Sequence, residues 1–247
     1  MRQATAFALA SALVLFTIPA LAQGPAAAQG PAARFGTDGQ AILSADRMFG
    51  LSFGTVKEVD GTTSTTQTQS ATDINAFWSP GAITLYELPR ISFDYVVAVG
   101  ITVGASVGLF NRSSSVETET GGVSQSRDGP SMFALQLAPR VGYVLPLASM
   151  IAFWPRAGIT YYRVFAEMTT TGATPITSKT TADGVGVNVE PMFAFSPVPN
   201  FAVVAGPVLD LPLSGSRHTE TTGLPATPDD KYKYTNWGLA LGLLGYF

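Results

Sequence analysis

Six charged residues fall where the hydrophobic patterning places the inner face of a β-sheet. Arg90, Arg140 and Arg156 each follow a proline, in LPR, APR and WPR, and Asp46, Glu190 and Asp210 take inner positions of other segments. Gln136 and Asn188 share that face. Guanidinium and carboxylate groups held away from water must pair, because an uncompensated buried charge is costly. Two kinds of chemistry follow from such a set: a mutual charge network that fills an interior, or a row of charges along a water path.

His218 is the single histidine, with Ser214, Ser216 and Glu220 close by in sequence. A multi-histidine metal site is therefore excluded, and with no cysteine there are no thiolate metal ligands or disulfides. Nucleophilic catalysis needs a geometric triad rather than proximity in sequence. Serine and threonine saturate the surrounding segments, so a neighbouring hydroxyl is no signal, and a solvated histidine without catalysis is the expectation. No glycine-rich phosphate loop occurs between a strand and a helix, and Asp60-Gly61 and Asp229-Asp230 make no calcium motif. No metal and no cofactor is expected.

The elements that must position these groups are strands. In the last segment Leu239, Leu241 and Leu243 alternate with Gly238, Ala240 and Gly242, and the sequence ends on Phe247. Large apolar residues alternating with tiny ones give a strand with one greasy face and one nearly bare. Eight such strands are predicted: about Ala41 to Val56, Ala82 to Tyr95, Val97 to Asn111, Met132 to Leu145, Ile151 to Phe165, Gly184 to Phe195, Phe201 to Leu213, and from Tyr234 to the end. Glu87 breaks the pattern of the second and suggests a bulge near Pro89.

Short connections, around Asp94 to Val96, Pro146 to Ser149 and Ser196 to Asn200, alternate with long polar ones, Asp60 to Asn75, Ser113 to Pro130, Thr169 to Asp183 and Arg217 to Lys233. Residues 2 to 22 read as a secretory signal peptide: Arg2, an uncharged apolar stretch from Phe7 to Ile18, then Pro19 and Ala20-Leu21-Ala22. Residues 23–40 read as a flexible Ala/Gly/Pro linker, and residues 41–247 as one barrel. Exported alternating strands of even number, with no long apolar run after the signal, predict an all-β, eight-stranded antiparallel up-and-down transmembrane β-barrel with short periplasmic turns and long extracellular loops. A soluble lipocalin-like barrel would put the glycine-rich face in water, which fits poorly. Tyrosines and tryptophans near strand ends (Trp78, Tyr95, Trp154, Tyr161, Tyr162, Tyr232, Tyr234, Trp237, Tyr246) suggest interfacial girdles.

The chain resembles the small bacterial outer-membrane barrels of the OmpA/OmpX-like, porin-like kind over about residues 41 to 247. Its final strand, with Leu239, Leu241, Leu243 and Phe247, is similar to the C-terminal assembly signal of that class, with Gly245 as a departure. The resemblance implies integral placement in the outer membrane and two partners, outer-membrane lipid and the barrel-assembly machinery through the last strand. A formal charge of −3 gives no footing for nucleic acid, and a monomer is expected. An eight-stranded barrel has an interior just wide enough for side chains. The expected role is thus structural or surface-interactive around a lumen plugged by Asp46, Arg90, Arg140, Arg156, Glu190 and Asp210. The alternatives are a narrow channel for small solutes and a lipid-modifying enzyme using His218. The Thr/Ser-rich outer loops offer a surface for an extracellular ligand.

Overall fold

The computed structural model describes residues 34–76, 88–120, 123–170, 176–225 and 228–247. The proposed signal peptide, most of the linker, Trp78 and the expected start of the second strand at Ala82, with Glu87, lie outside the described residues. Among the described residues there are twelve strands: β1 Ala41–Val59, β2 Thr66–Ala76, β3 Arg90–Ala98, β4 Ile101–Arg112, β5 Ser115–Thr120, β6 Val123–Asp128, β7 Ser131–Tyr143, β8 Leu145–Pro146, β9 Ile151–Thr170, β10 Ile176–Val198, β11 Phe201–Thr221 and β12 Asp230–Tyr246.

Eight of them close a ring, β1-β3-β4-β7-β9-β10-β11-β12 and back to β1, with every pairing antiparallel. Closure leaves no edge with unpaired backbone groups. β1 is shared: Ala41 to Asp46 pair with β3, while Phe49 to Val59 pair with β2.

The eight predicted ring strands are all found, and the differences are local. The first short connection is at Val99-Gly100 instead of Asp94 to Val96. Both residues have positive φ, +42° and +78°, as the twist of a two-residue hairpin demands. The valine at this site conceals the turn, because a β-branched residue is a poor signal for left-handed backbone. The long connections are largely strand. β1 and β2 form one hairpin, β5 and β6 another, and β9 to β12 run on through the expected loop residues. Asp60 closes the β1–β2 turn by accepting from the Thr62 and Thr63 amides at 2.7 and 2.6 Å. Those bonds hold its carboxyl below the usual range.

Outside, the ring carries an apolar belt: Ile91 and Phe93 of β3, Val103 and Val107 of β4, Val141 of β7, Ile159 of β9, Phe193 of β10, Leu211 of β11 and Leu239 of β12 are all exposed. Above the belt the same faces turn to Thr, Ser, Lys and Glu. Strands of 20 to 23 residues are about twice what crossing a bilayer takes. Four aromatics expected in girdles are buried on the inner face instead: Trp154, Tyr162, Tyr234 and Tyr246. Tyr95 and Trp237 are exposed outward.

Candidate functional site

All six charged residues predicted for the lumen are there and buried. Arg47 and Asp94 join them, so four guanidiniums face four carboxylates. Arg47 enters through an irregularity of β1. Ala45 pairs with Leu243 and Phe49 with Leu241, leaving two extra residues on β1, and Arg47 adopts φ +56°. Strict alternation would send Arg47 to the outer face; the bulge turns both Asp46 and Arg47 inward. A non-glycine residue in left-handed backbone costs about 1–3 kcal/mol, and here the ion pairs hold it. Asp94 enters because the β3–β4 turn lies later than expected, which keeps it within β3.

The geometry is dense. Arg47 grips Glu190 Oε1 through Nη2 at 2.6 Å and Asp210 Oδ2 through Nη1 at 2.7 Å. Arg140 forms a two-pronged pair with Asp94, Nε to Oδ1 at 2.9 Å and Nη2 to Oδ2 at 2.5 Å, and reaches Asp46 at 2.6 Å. Arg156 bridges Asp46 at 3.2 Å and Glu190 at 2.7 Å. Arg90 lies 4.0 Å from Glu190 and 3.8 Å from Asp210. Ser92 donates to Asp46 at 2.5 Å and Asn236 to Asp210 at 3.1 Å. Paired arginine–carboxylate forks are the strong form of such bonds.

Two inner glycines make room for this network. A Cβ on Gly104 would sit 2.3 Å from Asp94 Oδ1, and one on Gly158 would sit 2.8 Å from Asn188 Oδ1 and 2.9 Å from the Arg140 Cβ. These two glycines thus accommodate Asp94, Asn188 and Arg140 rather than open a channel at these positions.

Apolar layers lie above and below the charges. From Leu88, just before β3, the inner residues run on through Arg90, Ser92, Asp94 and Val96, and along β9 they run Val164, Tyr162, Thr160, Arg156, Trp154, Ala152. At the short-turn end Ile42, Val96, Val144, Trp154, Met192, Val204, Leu244 and Tyr246 form one buried cluster. Phe35 caps it, edge-on to Trp154 at 5.3 Å and 5.4 Å from Tyr246. The Arg34–Gln40 segment is turned under the barrel, tied by Gly39 N to Val96 O and Val96 N to Gln40 O, both 2.9 Å. Arg156 lies over the Trp154 ring at 4.5 Å, a cation–π contact joining the layers. At the hairpin end Leu88, Ala134, Tyr162, Val164 and Tyr234 form the second cluster. An open hollow of about 590 Å³ lies at this end, lined by Arg112, Pro130, Met132, Met168, Ser178 and Thr180.

His218 lies elsewhere, on the outer face near the rim. Its Nδ1 is 2.7 Å from Asp229 Oδ1 and its Nε2 3.3 Å from Glu220 Oε1. These carboxylates raise its pKa above 6.5. Ser216 donates instead to Asp183 at 3.4 Å, so among the described residues no serine completes a triad. Leu239, Leu243 and Phe247 are exposed outward and Leu241 half so.

No family model matches the chain, and no curated protein does. Solved structures do. The outer membrane protein OprG from Pseudomonas aeruginosa aligns at 14% identity over 85% of this chain and 96% of its own, with a TM-score of 0.50. The outer membrane protease OmpT from Escherichia coli aligns at 9% identity over 85% and 97%, TM-score 0.46. Neisserial surface protein A aligns at 13% over 85% and 98%, TM-score 0.39. At such identities the likeness speaks to fold, and the OprG match carries it: this chain has the architecture of the small bacterial outer-membrane β-barrels.

Proposed function

We propose that this protein is an integral outer-membrane β-barrel whose lumen is a closed structural core and whose work is done on its outside surfaces, without catalysis. The observation that carries this reading is the order of layers inside the ring. A charge-balanced set of Arg47, Arg90, Arg140 and Arg156 with Asp46, Asp94, Glu190 and Asp210 lies between two apolar clusters. Hydrated ions crossing the lumen would have to displace Trp154 and Tyr162, both buried, as well as break the ion pairs. What remains accessible is the apolar belt, suited to lipid, and the hydroxyl-rich hairpins above it, whose paired strands offer a binding surface. Export by the N-terminal segment and delivery by the barrel-assembly machinery through Leu239, Leu241, Leu243 and Phe247 complete the proposal.

Fluorescence in bilayers tests the placement. Single-tryptophan variants of the refolded protein are inserted into phosphatidylcholine vesicles with brominated acyl chains. Trp237 emission is expected to be quenched and Trp154 emission protected. Equal quenching of both, or of neither, would overturn the reading.

A further inference from the structure

The outer face of the β1–β12 pair carries an arrangement that the closed core does not require. The register sets Phe53 opposite Trp237, Thr55 opposite Thr235, Lys57 opposite Lys233 and Val59 opposite Lys231. These residues share the outward face of the ring, and the three lysines are exposed. The chain has four lysines, Lys57, Lys179, Lys231 and Lys233, so three of them meet on one patch. Like charges directly across an antiparallel pair destabilise it, yet among the described residues no carboxylate forms an ion pair with any of the three.

Three other exterior cations above the belt are accompanied. Lys179 is 3.8 Å from Glu167, and His218 lies between Asp229 and Glu220. Arg163 rests over the Phe165 ring at 4.8 Å. The carboxylates nearest the lysines in sequence, Glu58 and Asp230, are both engaged by Arg217. Among the described residues, no carboxylate on the wall neutralises the patch.

Its height identifies what can. Phe53 and Trp237 are stacked with centroids 4.3 Å apart at the top of the apolar belt, where amphipathic rings mark the edge of the hydrocarbon. Lys57 is four residues higher, about 13 Å along a strand at ~3.3 Å per residue, or roughly 10 Å along the axis at a tilt of ~40°. A lysine stem can reach down from there along the apolar surface, which puts the ammonium groups at the depth of lipid headgroups.

The geometry points to Lys57, Lys231 and Lys233 as a binding site for the phosphorylated headgroup of a lipid in the outer leaflet, whose chains lie along Phe53, Trp237 and Leu239. This rests on the outer-membrane placement proposed above and adds a specific ligand class to it.

The refolded full chain in uncharged maltoside micelles is titrated with a diphosphorylated acylated glucosamine disaccharide or its dephosphorylated form, and bound lipid is counted by native mass spectrometry. The phosphorylated lipid is expected to bind at least tenfold more tightly. The Lys57→Gln/Lys231→Gln/Lys233→Gln variant is expected to lose that preference and Lys179→Gln to keep it. Lys233→Gln alone serves if the triple variant does not fold, and is expected to weaken the preference severalfold. Without lipid it is expected to raise the melting temperature, since a repulsion is relieved. Equal binding of the two lipids, or a preference that survives the substitutions, overturns the site. Displacement of the lipid by inorganic phosphate at the same concentration overturns the assignment to a lipid headgroup. Failure of vesicle insertion, measured separately, would instead count against the membrane placement.

Discussion

Arg47 Nη2 lies 2.6 Å from Glu190 Oε1, although the strands that carry them, β1 and β10, do not touch in the sheet. The pair crosses the lumen. Asp46, the neighbour of Arg47, turns toward Arg140 on β7 and Arg156 on β9. One bulge in β1 therefore links strands from both sides of the ring, and the interior is cross-braced as well as filled.

Removing one member should be costly. Asp94 has its described ion pair with Arg140, through both carboxylate oxygens. Arg140→Ala strands a buried carboxylate, and losses of about 3–5 kcal/mol are usual for such a change. Urea unfolding in micelles should show a loss of that order, with part of it recovered in Arg140→Ala/Asp94→Ala. A double variant no better than the sum of the singles would mean the two side chains are not coupled.

Space matters as much as charge. Gly158 packs its bare Cα against Asn188, Arg140 and the Pro139 carbonyl, where an added Cβ would fall within 3 Å of all three. Gly158→Val is expected to lose more stability than the same change at Gly223, beside which nothing lies within 4 Å of a Cβ position. Gly223 has φ +82°, so its own substitution carries backbone strain alone. Comparable melting curves for the two variants would contradict the packing.

His218 gives a pH signature at the rim. Bonding to Asp229, then to Glu220, raises its pKa in the folded chain. The stabilising contribution is thus complete below about 6.5, the unfolded value, and disappears as pH rises through the folded value. As the only histidine, it yields a single imidazole resonance by NMR. Its midpoint should lie above 6.5 and fall in Asp229→Asn; a midpoint at or below 6.5 would contradict the contact.

Much of this was legible in the residues. Alternation from Val103 to Leu109 and from Leu239 to Leu243 needs no tertiary information, since a two-residue period separates the faces by itself. It located the ring strands and six of the eight lumen charges. Arg47 escaped because a bulge suspends alternation, and no residue type at 45–49 announces one. Asp94 escaped because Val99 stands where a left-handed turn residue was needed. Trp154 and Tyr162 follow the inner parity, yet their type suggested girdles; parity was the better guide, as a narrow lumen must be filled by large side chains. The Lys57–Lys233 juxtaposition depends on the register between the first and last strands of the ring, which composition cannot convey.

Single-channel recording of the refolded, inserted protein in a planar bilayer tests the closed lumen most directly. The layered core predicts a silent membrane, with insertion verified independently. Discrete, reproducible openings whose size changes in Arg140→Ala would contradict it and make the lumen a narrow conduction path.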